Sequence, residues 1–414
     1  RGYQLAREAY AAYGIDTDKA IEELGAIQLA LHCWQGDDVA GFESPEGLSG
    51  GGILATGNYP GKARSGEELR RDLELALSLI PGQCRLNLHA IYAETGGKRV
   101  ERNQLAVEHF RKWIDWAKSL EIGLDFNPTF FSHPLAASGF TLSSKDERTR
   151  RFWMEHAACC REIGAAIGRE LGTPCVNNIW IPDGSKDLPA DRLGHRRILK
   201  ESLDEIFARK YDEKYLVDAL ESKLFGIGSE AYVVGSHEFY LGYALTNGKV
   251  LCLDMGHFHP TEGIADKVSA ILTFAKRVLI HVSRGIRWDS DHVAVLNDDL
   301  IALTQEIKRS SAFDKAFLAL DYFDASINRI AAWVIGGRAL RKAILMALLE
   351  PTAMLVQAEE EGEYGKRLAL LEEVKTLPWA WVWDQYCRLQ NVPLGGEWLD
   401  RVKEYEDRVL RSRI

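Results

Sequence analysis

The chain has 414 residues, 46% of them hydrophobic and 27% charged, with a formal net charge of −9. This is the profile of a folded globular protein rather than a disordered one. The acidic balance gives none of the basic footprint that nucleic acid or an anionic membrane selects. No apolar run approaches the ~18 residues of a membrane span, and the N-terminal RGYQLAREAYAAYGI lacks the apolar core of a signal peptide. Seven cysteines (Cys33, Cys84, Cys159, Cys160, Cys175, Cys252 and Cys387) include no C-x-x-C pair. That argues against a disulfide framework or structural zinc and fits a reducing cytoplasm.

Read from the N-terminus, strand-like runs fall at 25–34, 84–92, 122–131 and 175–181, and again at 216–221, 250–254, 278–283 and 317–321. Helical periodicity fills the gaps. The first helix opens at Ser65 with the capping-box pattern Ser65-Gly66-Glu67-Glu68 and carries Leu69, Leu73, Leu77 and Ile80 on one face. Further helices are expected over 105–120, 147–171, 191–210, 229–245, 262–277, 298–312 and 326–350. Eight strands alternating with eight helices predict a (β/α)8 TIM barrel over 1–350. An open doubly wound sheet would want a phosphate-binding glycine turn, and the Gly50-Gly51-Gly52 run lacks that spacing. Residues 351–414 lose the strand signal and read as a helical extension that packs on the barrel or on another subunit.

The chemistry concentrates in the second half of the barrel. Strand five ends at Glu221, followed by Ser222 and Lys223. Strand six ends at Asp254, with His257 and His259 in the next turn. Strand seven holds His281, and its loop carries Trp288-Asp289-Ser290-Asp291-His292. Strand eight ends at Asp321, with Asp324 beyond. In a barrel all carboxyl ends of the strands meet at one mouth. Gathering so many carboxylates there without a cation raises their pKa values by mutual repulsion, and a divalent metal relieves it. Carboxylates with one imidazole per site suit Mn, Mg or Co better than thiolate-type zinc.

Bland readings exist for each group alone. A single Asp at a strand end is commonly a helix cap or turn former. Glu221 and Lys223 can be a rim ion pair. Histidines such as His109, His156 and His195 in helical stretches read as surface or satisfied core. Recurrence on four consecutive strands is what favours metal. In the first half, His89 and Asn87 share a face of strand two, Trp34 closes strand one, Phe130 and Phe131 close strand three, and Trp180 lies in strand four beside Asn177 and Asn178. These read either as rim packing or as a pocket for a small polyhydroxylated ligand.

Long segments now point further. ESKLFGIG at 221–228, LDMGHFHPTE at 253–262, LIHVSRGIRWDSDHV at 279–293 and LDYFDASINRIAAWVIG at 320–336 resemble the L-rhamnose isomerase family. NNIWIPDGSKD at 177–187 and LEEVKTLPWAWVWDQYC at 371–387 are similar to it too. The resemblance implies a xylose-isomerase-like barrel, two divalent metals (usually Mn2+), a homotetramer, a cytoplasmic location and L-rhamnose as the partner aldose. It implies that His257, Asp289 and Asp291 hold the catalytic metal, and that Glu221, Asp254, His281 and Asp321 hold the second. It places Lys223, His89 and Trp180 on the sugar, and a mobile loop near 40–62. Lys223, His257, Asp289, Asp291 and Asp321 are thus expected to carry the chemistry. Trp34, Phe130 and Phe131 are expected to form an apolar wall for the C6 methyl of the sugar.

The reaction so implied moves hydrogen between C1 and C2, as a hydride or through an enediol. An isomerase acting on another aldose, a metal-dependent dehydratase, hydrolase or endonuclease, and a non-catalytic sugar-binding protein are the competing readings. An endonuclease sits poorly with the acidic charge. A binding protein needs neither two metal clusters nor a lysine beside them.

Overall fold

A computed structural model of the chain describes residues 1–43, 55–224, 231–287 and 291–413. Eight parallel strands close into a barrel. They are β1 (Leu29–His32), β2 (Cys84–His89), β3 (Gly123–Asn127), β4 (Cys175–Trp180), β5 (Leu216–Glu221), β6 (Val250–Asp254), β7 (Val278–Val282) and β8 (Ala316–Leu320). β8 pairs back onto β1 through Leu29↔Leu318 and Ala30↔Ala319. A small antiparallel pair, Gly184–Ser185 with Tyr232–Val233, lies outside the barrel. Among the described residues no helix is long and apolar enough to cross a membrane.

Alternation along the strands decides what faces inward. Ala30, Val176, Val217, Ala219, Val250, Cys252, Leu279 and Ala319 form one buried cluster inside the barrel. Continuing each strand by two residues from that cluster reaches His32, Glu221, Asp254, His281 and Asp321. An apolar plug therefore supports a polar ring at the carboxyl ends. The opposite residues, such as Leu220, Leu253, Ile280 and Leu320, join the larger core beneath the helices.

Local signals account for most of the helices. Asp146 caps Glu147–Leu171 by accepting from Thr149 N, and Gly172 ends it with a left-handed φ of 69°. Arg161 of this helix is buried and pairs with Asp218 on the outer face of β5 at 2.9 Å. Ser65 caps Gly66–Leu79 through Glu68 N. The expected reciprocal bond is displaced by one residue, because the Glu68 carboxylate accepts from Arg64 N instead.

Two differences from the sequence reading stand at the N-terminus. Helices Gly2–Ala11 and Thr17–Ala26 precede the barrel, and β1 starts at Leu29 rather than 25. Asp16 caps the second helix, whose buried Ala20, Ile21 and Leu24 merge in sequence with the apolar run of β1.

Beyond residue 350 the chain forms helices Thr352–Glu360, Tyr364–Glu373, Trp379–Leu389 and Trp398–Arg408. In this tail Trp383 is buried, with the Arg338 guanidinium over its ring. Trp381 remains 42% exposed. The last turn returns to the barrel, where Arg413 donates to Asp72 at 2.6 and 2.8 Å and Tyr405 to the same carboxylate at 2.8 Å. Glu406 accepts from Asn328 and Tyr59.

Removing one partner of a buried ion pair typically costs about 3–5 kcal/mol, because the other charge is stranded. Asp72→Ala should therefore lower unfolding stability by about that much, against less than about 0.5 kcal/mol for Leu399→Ala on the exposed face of the same tail. Urea unfolding compares the two variants. Equal losses would contradict the anchoring role of Arg413.

Candidate metal centre

The polar ring is built around His281. Its Nδ1 lies 3.0 Å from Asp321 Oδ2, 3.5 Å from Glu221 Oε2 and 3.7 Å from Asp254 Oδ2. Yet among the described residues neither His281 nitrogen nor Asp254 Oδ2 has hydrogen-bond geometry to any partner, although all are buried. Orphaned polar atoms at such depth are costly unless something else satisfies them. Three carboxylates and one imidazole cannot neutralise each other, whatever the proton's position. A divalent cation among the four donors does both jobs.

Each carboxylate is also held by a donor. Glu221 Oε2 accepts from Asn178 Nδ2 at 2.5 Å. Asp321 Oδ1 accepts from Trp34 Nε1 at 3.0 Å. Asp254 Oδ1 accepts from Gly256 N at 2.6 Å and from Ser283 Oγ at 3.3 Å. Asp321 and Asp254 are thus oriented by donors on Oδ1 and leave Oδ2 toward the ring's centre, whereas Glu221 faces His281 with the same Oε2 that holds Asn178 and turns Oε1 toward His257. Burial alone would raise Glu221, but His281 and His257 beside it pull its carboxyl well below the usual range. Asp254 goes the other way, raised by burial with Glu221 and Asp321 adding to it against the pull of His257. Asp321 is lowered because His281 overcomes its burial.

A second donor set adjoins the first. Asp254, His257 and Asp291 bring donor atoms within 4.8 Å of one another. His257 Nδ1 faces the Ser222 carbonyl at 2.9 Å and Glu221 Oε1 at 3.1 Å, both acceptors, so the proton sits on Nδ1. The lone pair is then on Nε2, the tautomer a metal-binding histidine needs. Gly256 makes room for this set. A Cβ there would stand 3.1 Å from Asp291 Oδ1 and 3.3 Å from Asp254 Oδ1. Both donor sets therefore fit divalent cations.

Of the residues singled out from sequence, Glu221, Asp254, His281 and Asp321 come together in one group, and His257 and Asp291 in the other. Asp254 belongs to both. Asp289 lies outside the described residues, as does the core of the 40–62 segment, at 44–54. A pocket opens over the ring, lined by Trp34, His89, Phe131, Trp180 and Lys223. The Lys223 ammonium stands 5.0 Å from the Trp180 ring centre. Phe130 does not join this lining. It turns outward against Trp153 and His156, since neighbouring residues of an extended segment point to opposite sides. Trp34 lies beside the polar ring rather than on a remote wall, through its bond to Asp321.

The sequence reading missed Val39, Asn127 and Phe323, which complete the lining. Asn127 was within reach, because it ends β3 on the inward parity. Asn178 was noticed beside Trp180 but not as the donor to Glu221. His109, His156 and His195 lie away from the site with their own partners: His109 accepts from Ala106 N, and His195 stacks on Phe140.

The family model described as L-rhamnose isomerase (RhaA) matches residues 1–413. The chain belongs to the L-rhamnose isomerase family. Proteins named L-rhamnose isomerase from Salmonella paratyphi B and Salmonella heidelberg are each 56% identical over 413 residues, covering 100% of this chain and 98% of theirs. The family makes the protein an aldose–ketose isomerase. Among solved structures, a D-tagatose 3-epimerase-like protein is 15% identical with a TM-score of 0.45, covering 66% of this chain and 90% of that one. L-Ribulose 3-epimerase is 13% identical with a TM-score of 0.47, covering 79% and 97%.

The role of Gly256 is open to a direct check. Gly256→Ala should weaken divalent-cation binding at the Asp254–His257–Asp291 set by about tenfold, in line with other changes just outside a ligand shell. Isothermal calorimetry measures this, with circular dichroism confirming the fold. Undiminished affinity would mean that the two carboxylates do not approach a shared ion there.

Proposed function

We propose that the protein interconverts L-rhamnose and L-rhamnulose, using two divalent ions, with Mn2+ preferred and Co2+ or Mg2+ as substitutes. The observation that carries this reading is the pairing of a full-length family match with two adjoining donor sets at the barrel mouth. Glu221, Asp254, His281 and Asp321 would hold one ion, and His257, Asp289 and Asp291 the other. When bound, such ions supply Lewis acidity toward neighbouring sugar oxygens such as O1 and O2. The chain's own residues bind and orient the sugar: His89, Trp180 and Lys223 on its polar edge, with Phe131 as apolar surface. Phe130, turned outward, has no part in that surface.

Hydrogen transfer between C1 and C2 is read as direct rather than through an exchanging base. Support comes from the engagement of the nearby carboxylates. Glu221 is held by Asn178, Asp321 by Trp34, and Asp254 by Gly256 and Ser283. A base committed to such donors is poorly placed to take a carbon-bound proton.

A homotetramer and a cytoplasmic location belong to the same proposal. Tyr364, Leu368, Trp381 and Leu389 put exposed apolar surface on the 351–414 extension, which favours a role for it in subunit contacts.

Three measurements test the reading. Exhaustive chelation should abolish isomerisation of L-rhamnose, with Mn2+ restoring it better than Zn2+, and His257→Ala or Asp291→Ala should cost far more turnover than His109→Ala. Full turnover in strong chelator would contradict it. In deuterated water, direct transfer leaves C1 of the aldose essentially free of deuterium, whereas substantial incorporation would establish the enediol path. Finally, L-mannose carries a hydroxyl where L-rhamnose has its C6 methyl. An apolar wall discriminates such pairs by ~10–200-fold, so kcat/KM for L-mannose should be lower by a factor in that range. Equal values would remove Phe131 from C6.

A further inference from the structure

Thr129 lies two residues beyond β3, is fully buried, and stands between two histidines. Its backbone N–H donates to His156 Nε2 at 2.9 Å, while His156 Nδ1 lies 2.9 Å from the Arg102 carbonyl oxygen. An amide N–H only donates and a carbonyl only accepts. His156 therefore carries its single proton on Nδ1 and is held neutral, in keeping with burial that lowers its pKa to about 3. Arg102 fixes the same loop from the other side, donating to the carbonyls of Thr129 at 2.8 Å and Phe131 at 2.6 Å. The Thr129 backbone has no freedom to re-aim its side chain.

That side chain meets His89. Among the described residues, Thr129 Oγ1 has one hydrogen-bond partner, His89 Nδ1 at 3.0 Å. A threonine hydroxyl always has one proton to donate, and a buried donor without an acceptor costs about 1–3 kcal/mol. Were the proton of His89 on Nδ1, the hydroxyl proton would have nowhere to go. With Thr129 as the donor, Nδ1 accepts and both groups are satisfied. The ring proton of His89 then sits on Nε2. Burial keeps the ring uncharged, with its pKa lowered to about 4. Trp34 and Phe131 pack edge-on against it at 5.0 and 5.6 Å and fix its plane.

We infer that Thr129 is a positioning residue that locks His89 as the Nε2–H tautomer, so that His89 meets the sugar as a hydrogen-bond donor and not as a base. The sugar atom it serves must be an oxygen offering a lone pair. This rests on the reading of His89 as a sugar contact.

Neutron diffraction from deuterium-exchanged crystals near neutral pH tests the assignment. The expected result is a deuteron on His89 Nε2 and one on Thr129 Oγ1 aimed at Nδ1; a deuteron on His89 Nδ1 overturns the proposal. Thr129→Val removes the hydroxyl at similar volume. It should lower kcat/KM by ~10–100-fold, as loss of a ligand-orienting partner does, while divalent-cation affinity in calorimetry stays unchanged. Thr129→Ser should restore the activity, which a purely structural role for the threonine methyl would not allow. Wild-type kcat/KM in Thr129→Val also overturns it. Wild-type kinetics in His89→Gln would instead remove the sugar contact, and the deuteron position would still decide the claim about Thr129.

Discussion

The constraint on which the structure turns is electrostatic: one imidazole, His281, faces Glu221, Asp254 and Asp321 across 3.0–3.7 Å. Left alone, that arrangement would push carboxylates apart or force them to take up protons. It is held instead by donors drawn from elsewhere around the ring. Asn178 comes from β4, Trp34 from just past β1, and Ser283 from just past β7. None of these donors is near its carboxylate in sequence except Gly256, which serves Asp254 two residues away. The site therefore exists only once the barrel has closed. Barrel closure in turn brings the like charges together and makes the cation's place.

Much of this was legible in the sequence because the relevant signals are local or periodic. Glu147–Leu171 matches its predicted bounds, since both its cap, Asp146, and its stop, Gly172, are written beside it. Glu221 and Asp254 end their strands, His281 stands one residue before the end of β7 and Asp321 one residue past β8, because period-two alternation continues from the apolar interior into the ring. What escaped depends on partners far along the chain. Asn178 and Glu221 are separated by 43 positions, and His89 and Thr129 by 40. A sequence shows that such residues are polar, not which group they will satisfy. Phe130 and Phe131 illustrate a finer limit: their composition suggested one aromatic wall, while backbone parity gives only Phe131 to the pocket. Trp383 is likewise placed by a distant element, the long helix Arg329–Leu348, which supplies Arg338 above it.

The segments flanking the pocket are fastened by specific contacts. Glu43 pairs with the buried Arg102 at 2.8 Å, which also holds the loop carrying Phe131 and Thr129. On the other side, Tyr59 N donates to the Ala325 carbonyl and Ala325 N to that of Thr56. Gly57 permits this approach, for at its φ of 126° a Cβ would lie 2.2 Å from the Ala325 backbone. Asp38 binds Arg329 at the start of the following helix. The chain leaving β1 is thereby tied both to the β3 side of the mouth and to the β8 side.

The inward parity of β5 to β8 has a consequence for how such a protein changes over evolutionary time. Inserting one residue within any of these strands would turn its polar group outward and bring Leu220, Leu253, Ile280 or Leu320 into the ring in its place, and deleting one would bring Ser222, Met255, Val282 or Tyr322. No intermediate exists between a polar group facing the ring's centre and its strand neighbour facing it. Loops between the strands are free of that arithmetic, because a change in their length leaves the phase of the next strand intact. Family members are thus expected to differ in the lengths of their connections, while a frame error of a single position within one of these strands is enough to erase the centre.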